Sequence, residues 1–103
     1  MKIFLDDERK PPTSDWLLVK TVEECWSYLE TRQVIFLSLD NDLGEGLKEG
    51  YLILDLLEEA VYDDMTFPIP EVTIHSANAS RVQYMQQALR TIERIRQQQV
   101  GGA

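Results

Sequence analysis

The sequence predicts an α/β fold, a parallel sheet of about four strands with helices on both faces. Short apolar runs alternate with segments whose apolar residues recur at helical spacing, the pattern of repeated strand-helix units. The run Val34-Ile35-Phe36-Leu37 lacks polar alternation, as a strand buried on both sides does. Right-handed crossovers between parallel strands then distribute the helices over two faces.

Residues 2–5 form the first expected strand, and the loop 6–16 follows, where Pro11 and Pro12 disfavour a helix. Leu17 to Val19 make a short second strand. Thr21 and Glu24 are spaced as a capping box, and Val22, Cys25, Trp26 and Leu29 then form one apolar helical face ending near Arg32 and Gln33. Residues 34–39 read as the central strand, and 40–50 as a loop carrying Gly44, Gly46 and Gly50. A helix from about Gly50 to Tyr62 has Ile53, Leu56, Leu57 and Ala60 on one face. The Phe67-Pro68-Ile69-Pro70 segment leads to a fourth strand at 72–74. The last helix starts near Asn78 or Ser80 and carries Val82, Met85, Leu89 and Ile92 as its stripe. Residues 1–97 are expected to form one domain, and 98–103 a flexible tail.

The chain has 103 residues, enough for one core, with ordinary hydrophobic (44%) and charged (27%) contents. Its net charge of -8 argues against extensive binding to a nucleic-acid backbone or an anionic membrane. No apolar run approaches the roughly 20 residues that span a bilayer. The single cysteine, Cys25, permits no internal disulfide and reads as a small buried hydrophobe. No signal peptide is visible, so a cytoplasmic setting is expected.

Asp6-Asp7, Asp40-Asn41-Asp42 and His75-Ser76 each follow a predicted strand directly. In an open α/β sheet, ligands bind beyond the strand C-termini where strand order reverses. Four carboxylates gathered there repel one another unless a cation or protons intervene. Asp6, Asp7, Asp40 and Asp42 are therefore expected metal ligands, for Mg²⁺ or Mn²⁺, which prefer oxygen donors. Asp40-x-Asp42-x-Gly44 resembles the start of a calcium loop, but Glu45 and Tyr51 occupy that loop's sixth and twelfth positions. Arg9 suits a bidentate phosphate contact or a salt bridge to the neighbouring acids. Ser76 and Asn78 suit a phosphate, with Asn78 as a plain helix N-cap the equal alternative. Arg81 sits in a first helical turn, where the dipole disfavours a cation. His75, the only histidine, suits proton transfer near neutrality. Trp26 reads as core.

The segments Leu5-Asp6-Asp7-Glu8-Arg9-Lys10-Pro11-Pro12, Leu39-Asp40-Asn41-Asp42-Leu43-Gly44 and Ile74-His75-Ser76-Ala77-Asn78 together resemble the cyclic-phosphate-processing receiver-like family, a divergent branch of the receiver-domain superfamily. The resemblance covers roughly residues 2–90. It implies a flavodoxin-like, receiver-like fold and an activity on cyclic phosphate bonds. Against two-component receivers, Asp6 and Asp7 are similar to the Mg²⁺-binding acidic pair, Asp40 to the phosphoacceptor, and Ser76 to the hydroxyl residue after the fourth strand. The chain is truncated by comparison: residues 8–15 replace the first helix, and the fifth strand with its lysine is missing. His75 is an addition, and Asn41 stands where the family usually has histidine, which leaves His75 to act alone.

These readings converge on a metal-assisted phosphoesterase, or a binding protein, for a small cyclic nucleotide or an RNA 2',3'-cyclic phosphate end. His75 and Asp40 are its expected catalytic residues, and Arg9, Ser76 and Asn78 orient the phosphate. A receiver phosphorylated on Asp40 and a non-enzymatic nucleotide- or protein-binding module are the alternatives. The short sheet leaves an open edge compatible with a homodimer.

Overall fold

The structure, a computed structural model, describes residues 1–101. Strands β1 (Lys2–Leu5), β2 (Trp16–Val19), β3 (Phe36–Leu39) and β4 (Glu71–Ile74) are joined with helices α1 (Val22–Leu29), α2 (Tyr51–Asp63) and α3 (Ala79–Gly101) in the order β1-β2-α1-β3-α2-β4-α3. The sheet is parallel throughout, in spatial order β2-β1-β3-β4. The chain moves from β1 to β2 on one side and then crosses back to β3 on the other. Strand order therefore reverses between β1 and β3, which is where such a sheet opens a crevice. Asp6 and Asp40 are the first residues beyond those two strands.

The fold class is the one the sequence predicts, but the helices lie on one face of the sheet rather than two. Side-chain alternation puts Ile3, Leu5, Val19, Leu37 and Leu39 on one side, each at most 1% exposed. They form a single cluster with Val22, Cys25 and Leu29 of α1, Ile53, Leu54, Leu57 and Val61 of α2, and Met85 and Ile92 of α3. The reason is topological. Both helical crossovers, β2 to β3 and β3 to β4, run in the same direction across the sheet, so right-handedness assigns them the same face. The one crossing in the opposite direction, β1 to β2, is the proline-bearing segment 6–15, which forms no helix.

The other face carries Lys2, Phe4, Trp16, Leu18, Phe36, Ser38, Glu71 and Thr73. Phe4 is nonetheless buried. His75 stacks on it at 4.3 Å with planes 6° apart, and Trp16 meets it edge-on at 6.2 Å. The Lys2 ammonium lies 5.3 Å from both the Trp16 and Phe36 rings and 2.9 Å from Asp15.

Three local expectations shift. β3 starts at Phe36, and Ile35 is 61% exposed. Its N–H donates to Met1 O at 2.8 Å, so residue 35 belongs to the approach to the strand rather than its buried run. The Thr21 cap forms, with Glu24 N–H donating to Thr21 Oγ1 at 3.2 Å, but Glu24 Oε1 accepts from Lys20 N rather than from Thr21 N. Residues 98–101, expected in a flexible tail, continue α3. Gln99 Nε2 donates to Val61 O at 2.7 Å and the Arg96 guanidinium to Phe67 O, which ties the last turns to α2 and the loop after it. Gly102 and Ala103 lie outside the described residues. No helix among the described residues is long and apolar enough to cross a membrane.

Cys25 is fully enclosed, and burial pushes its thiol up to about 12, the Glu24 charge adding to the effect. A thiol reagent at neutral pH is expected to label Cys25 only as fast as the chain opens, and labelling at a free-thiol rate in native buffer would contradict this packing.

Candidate functional site

The three strand ends are aligned by backbone hydrogen bonds that continue the sheet by one residue. Asp6 N–H donates to Val19 O, Asp40 N–H to Leu5 O and His75 N–H to Leu39 O, at 3.0 to 3.1 Å. Asp6, Asp7 and Asp40 thereby come together, with one carboxylate oxygen of each within 4.8 Å of the others. Asp6 is 1% and Asp40 8% exposed. A cavity of about 560 Å³ opens over them, walled also by Glu8, Arg9, Asp42, Glu49, Ala77 and the loop 43–47. Seven of its lining residues are acidic and one, Arg9, is basic.

Asp6 is held tightly. Its Oδ1 accepts the N–H groups of Glu8 and Arg9, both at 2.8 Å, and its Oδ2 lies 2.9 Å from His75 Nε2. Burial works to raise its pKa. The Arg9 and Glu8 N–H groups and His75 outweigh burial and hold the carboxyl below its ordinary value. Asp40 Oδ1 accepts the Asn41 N–H at 2.8 Å.

Asn41 is fully buried and has a structural task. Its Oδ1 accepts the Tyr51 N–H at 3.1 Å, which caps α2, and its Nδ2 donates to Asp42 Oδ1 at 3.1 Å. Gly50 donates its N–H to Asn41 O at 2.7 Å, and a Cβ placed on it would lie 1.9 Å from Asp40 O. The close return of the 43–50 loop onto the end of β3 therefore requires glycine at position 50.

Of the other expected site residues, Arg9 and Asp42 line the cavity, Asp42 outside the cluster of three. The Arg9 guanidinium donates to His75 O, which draws it toward the end of β4. Ser76 and Asn78 are not on the wall. Asn78 Oδ1 accepts the Arg81 N–H at 3.2 Å and the Ser80 hydroxyl at 3.0 Å, and Ser76 Oγ accepts the Asn78 N–H at 3.1 Å, so the pair forms the N-terminal cap of α3. Arg81 is 3.4 Å from Glu49 and over the Tyr51 ring. His75 is off the wall as well, behind Asp6, with Ser38 Oγ 2.7 Å from its Nδ1.

Sequence reasoning passed over Ser38, the only polar residue in β3, and the wall residues Leu43, Glu45, Leu47 and Glu49. A hydroxyl in an otherwise apolar strand was the available signal for the first. The loop offered no periodicity from which to read the second group.

A parallel sheet with its acidic residues gathered at the switch point defines a receiver-like domain. The family model described as the cyclic-phosphate processing receiver domain matches residues 1–91, and the chain belongs to that family. No curated protein and no solved structure gives a significant match.

Two outcomes follow from this geometry. Gly50→Ala is expected to cost about 1–3 kcal/mol in urea unfolding, because Asp40 O has no room to yield without displacing the site. An unchanged midpoint would show that the loop does not pack as described. Because the folded Asp6 pKa lies below its ordinary 3.8, the stability it confers is full above that value and fades as pH falls through the folded pKa. Unfolding of Asp6→Asn should therefore lose less stability than wild type over that acid range. Parallel acid slopes would rule out a depressed Asp6.

Proposed function

We propose that the cavity is a metal-assisted site for a cyclic phosphate, with hydrolysis of one ester bond to a phosphomonoester as its activity. The observation that carries the reading is the convergence of Asp6, Asp7 and Asp40 within 4.8 Å at the switch point. The donor set fits Mg²⁺ or Mn²⁺: it is all oxygen and anionic, and two of its members are nearly closed to solvent. Asp6, Asp7 and Asp40 would hold the ion, and Asp42 is the next carboxylate on the wall. Such an ion supplies Lewis-acid charge at phosphoryl oxygens.

Charge balance supports the same reading. A phosphate diester entering a cavity with seven acidic side chains and one guanidinium is repelled unless a cation accompanies it. Arg9 is the one wall residue able to donate a forked pair of hydrogen bonds to a phosphate. The cavity, at about 560 Å³, has the size of sites that enclose a whole small organic ligand, so a nucleoside portion fits beside the phosphate. Membership of a cyclic-phosphate processing family favours this substrate class over a plain phosphomonoester.

Mg²⁺ or Mn²⁺ at 100 times its Kd is expected to stabilise the fold by about 2.7 kcal/mol, read as a rise in Tm, with the rise lost in Asp6→Asn/Asp40→Asn. With the ion present, cyclic nucleotides and RNA ending in a 2',3'-cyclic phosphate should be opened to monoesters. Absence of divalent-ion binding at millimolar concentration would refute the metal site. A phosphoryl group retained on Asp40 after treatment with a small phosphodonor, and lost in Asp40→Asn, would assign the domain to signalling instead.

A further inference from the structure

Behind the cavity a line of hydrogen bonds connects β3, β4 and β1. Ser38 Oγ lies 2.7 Å from His75 Nδ1, and His75 Nε2 lies 2.9 Å from Asp6 Oδ2. The line is nearly sealed, with Ser38 6% and Asp6 1% exposed and the His75 side chain 19%. An ionised carboxylate only accepts hydrogen bonds, so His75 Nε2 carries the proton it shares with Asp6. In the neutral ring Nδ1 is then an acceptor, and the Ser38 hydroxyl is its donor. Phe4, stacked against the imidazole at 4.3 Å, fixes the plane of the ring.

The same residue types make up a nucleophilic triad, but the arrangement does not serve one. Ser38 borders neither described cavity, so no substrate carbon or phosphorus reaches its oxygen. His75 is likewise separated from the large cavity by the Asp6 carboxylate it bonds. What the line does reach is Asp6. A carboxylate offers about four lone-pair positions. Glu8 N–H and Arg9 N–H occupy two on Oδ1, and His75 occupies one on Oδ2, which leaves one on Oδ2.

We infer that Ser38 and His75 are positioning residues for Asp6. Asp6 sets the tautomer of His75, Ser38 anchors the ring through Nδ1, and His75 so held sets the carboxylate rotamer that keeps the last Oδ2 lone pair for a cation. The inference rests on the metal site proposed above. It departs from a proton-shuttle role for His75, because the ring donates its proton to Asp6 and not into the cavity. Partners that orient metal ligands in this way are commonly worth 10–100-fold in metal affinity.

The test combines two measurements on the full chain. Long-range ¹⁵N NMR of the metal-free protein reads the His75 tautomer. Mn²⁺ titration calorimetry reads affinity in wild type, Ser38→Ala, His75→Ala and His75→Gln, with Tm recorded for each. The Nε2–H form is expected in wild type and in Ser38→Ala, where the ring loses its second anchor and Mn²⁺ affinity falls less than in His75→Ala. Mn²⁺ affinity should fall about 10–100-fold in His75→Ala and recover in part in His75→Gln, whose amide can still donate to Asp6. If His75→Ala fails to fold, Ser38→Ala and His75→Gln carry the comparison. An Nδ1–H wild-type ring overturns the inference. So does a folded His75→Ala that binds Mn²⁺ as wild type does, and the metal reading then stands. A wild type that binds no Mn²⁺ overturns the metal reading and with it the role of orienting Asp6 toward a cation.

Discussion

The parallel pairing of β1 with β3 is the constraint on which the site depends. It places Leu5 against Leu39, and the Asp40 N–H to Leu5 O bond extends the ladder one residue further. Two carboxylates are thereby set side by side in an environment that opposes their charge. The fold offsets this locally. Main-chain N–H groups turn onto Asp6 and Asp40, and His75 Nε2 lies 2.9 Å from Asp6 Oδ2. These donors are few against seven acidic wall residues, so the acidic wall retains an appetite for a cation. The same pairing buries Ile3, Leu5, Leu37 and Leu39 beneath the helices, so the residues that stabilise the domain and those that build the site are neighbours on the same strands.

The one-sided distribution of helices shapes what lies behind the site. A helix in the β1–β2 connection would cover Phe4 and Ser38. A proline-bearing loop runs there instead, and its first residues curl back to donate N–H groups to Asp6. The open face then admits the His75 ring onto Phe4. The absence of a helix between β1 and β2 is thus coupled to the presence of an aromatic, hydrogen-bonding side chain at residue 75. This gives a physical reason for a histidine at the end of β4, independent of any role in proton transfer.

Much of this was legible in the sequence, for identifiable reasons. The strands and helices showed as apolar runs and helical stripes, and the acidic clusters stood directly after the runs, so the gathering of Asp6, Asp7 and Asp40 followed from one assumption about topology. The placement of His75 needed a second step, carrying the two-residue alternation of a strand through its end. Position 75 falls on the same side as Thr73, which registers with Ser38 and through it with Phe4, away from the helices. The one-sided packing was likewise implicit in the order of the crossovers, once the helix between β1 and β2 was given up. The reach of α3 to Gly101 was hidden because its glutamine-rich end has no apolar stripe, and the contacts of Arg96 and Gln99 that hold it are to main-chain carbonyls. The 43–50 stretch was legible only as a loop, since its course depends on the close approach of Gly50 to Asp40 O and on the bond from its N–H to Asn41 O.

The central claim is that three strand-end carboxylates form one cation site at the floor of the acidic cavity. Anomalous diffraction from crystals grown with Mn²⁺ tests it most directly. The account predicts a peak between Asp6, Asp7 and Asp40, at metal-oxygen distances from all three and with His75 still bonded to Asp6. A peak elsewhere on the acidic surface, or none at this cluster under saturating Mn²⁺, would contradict it.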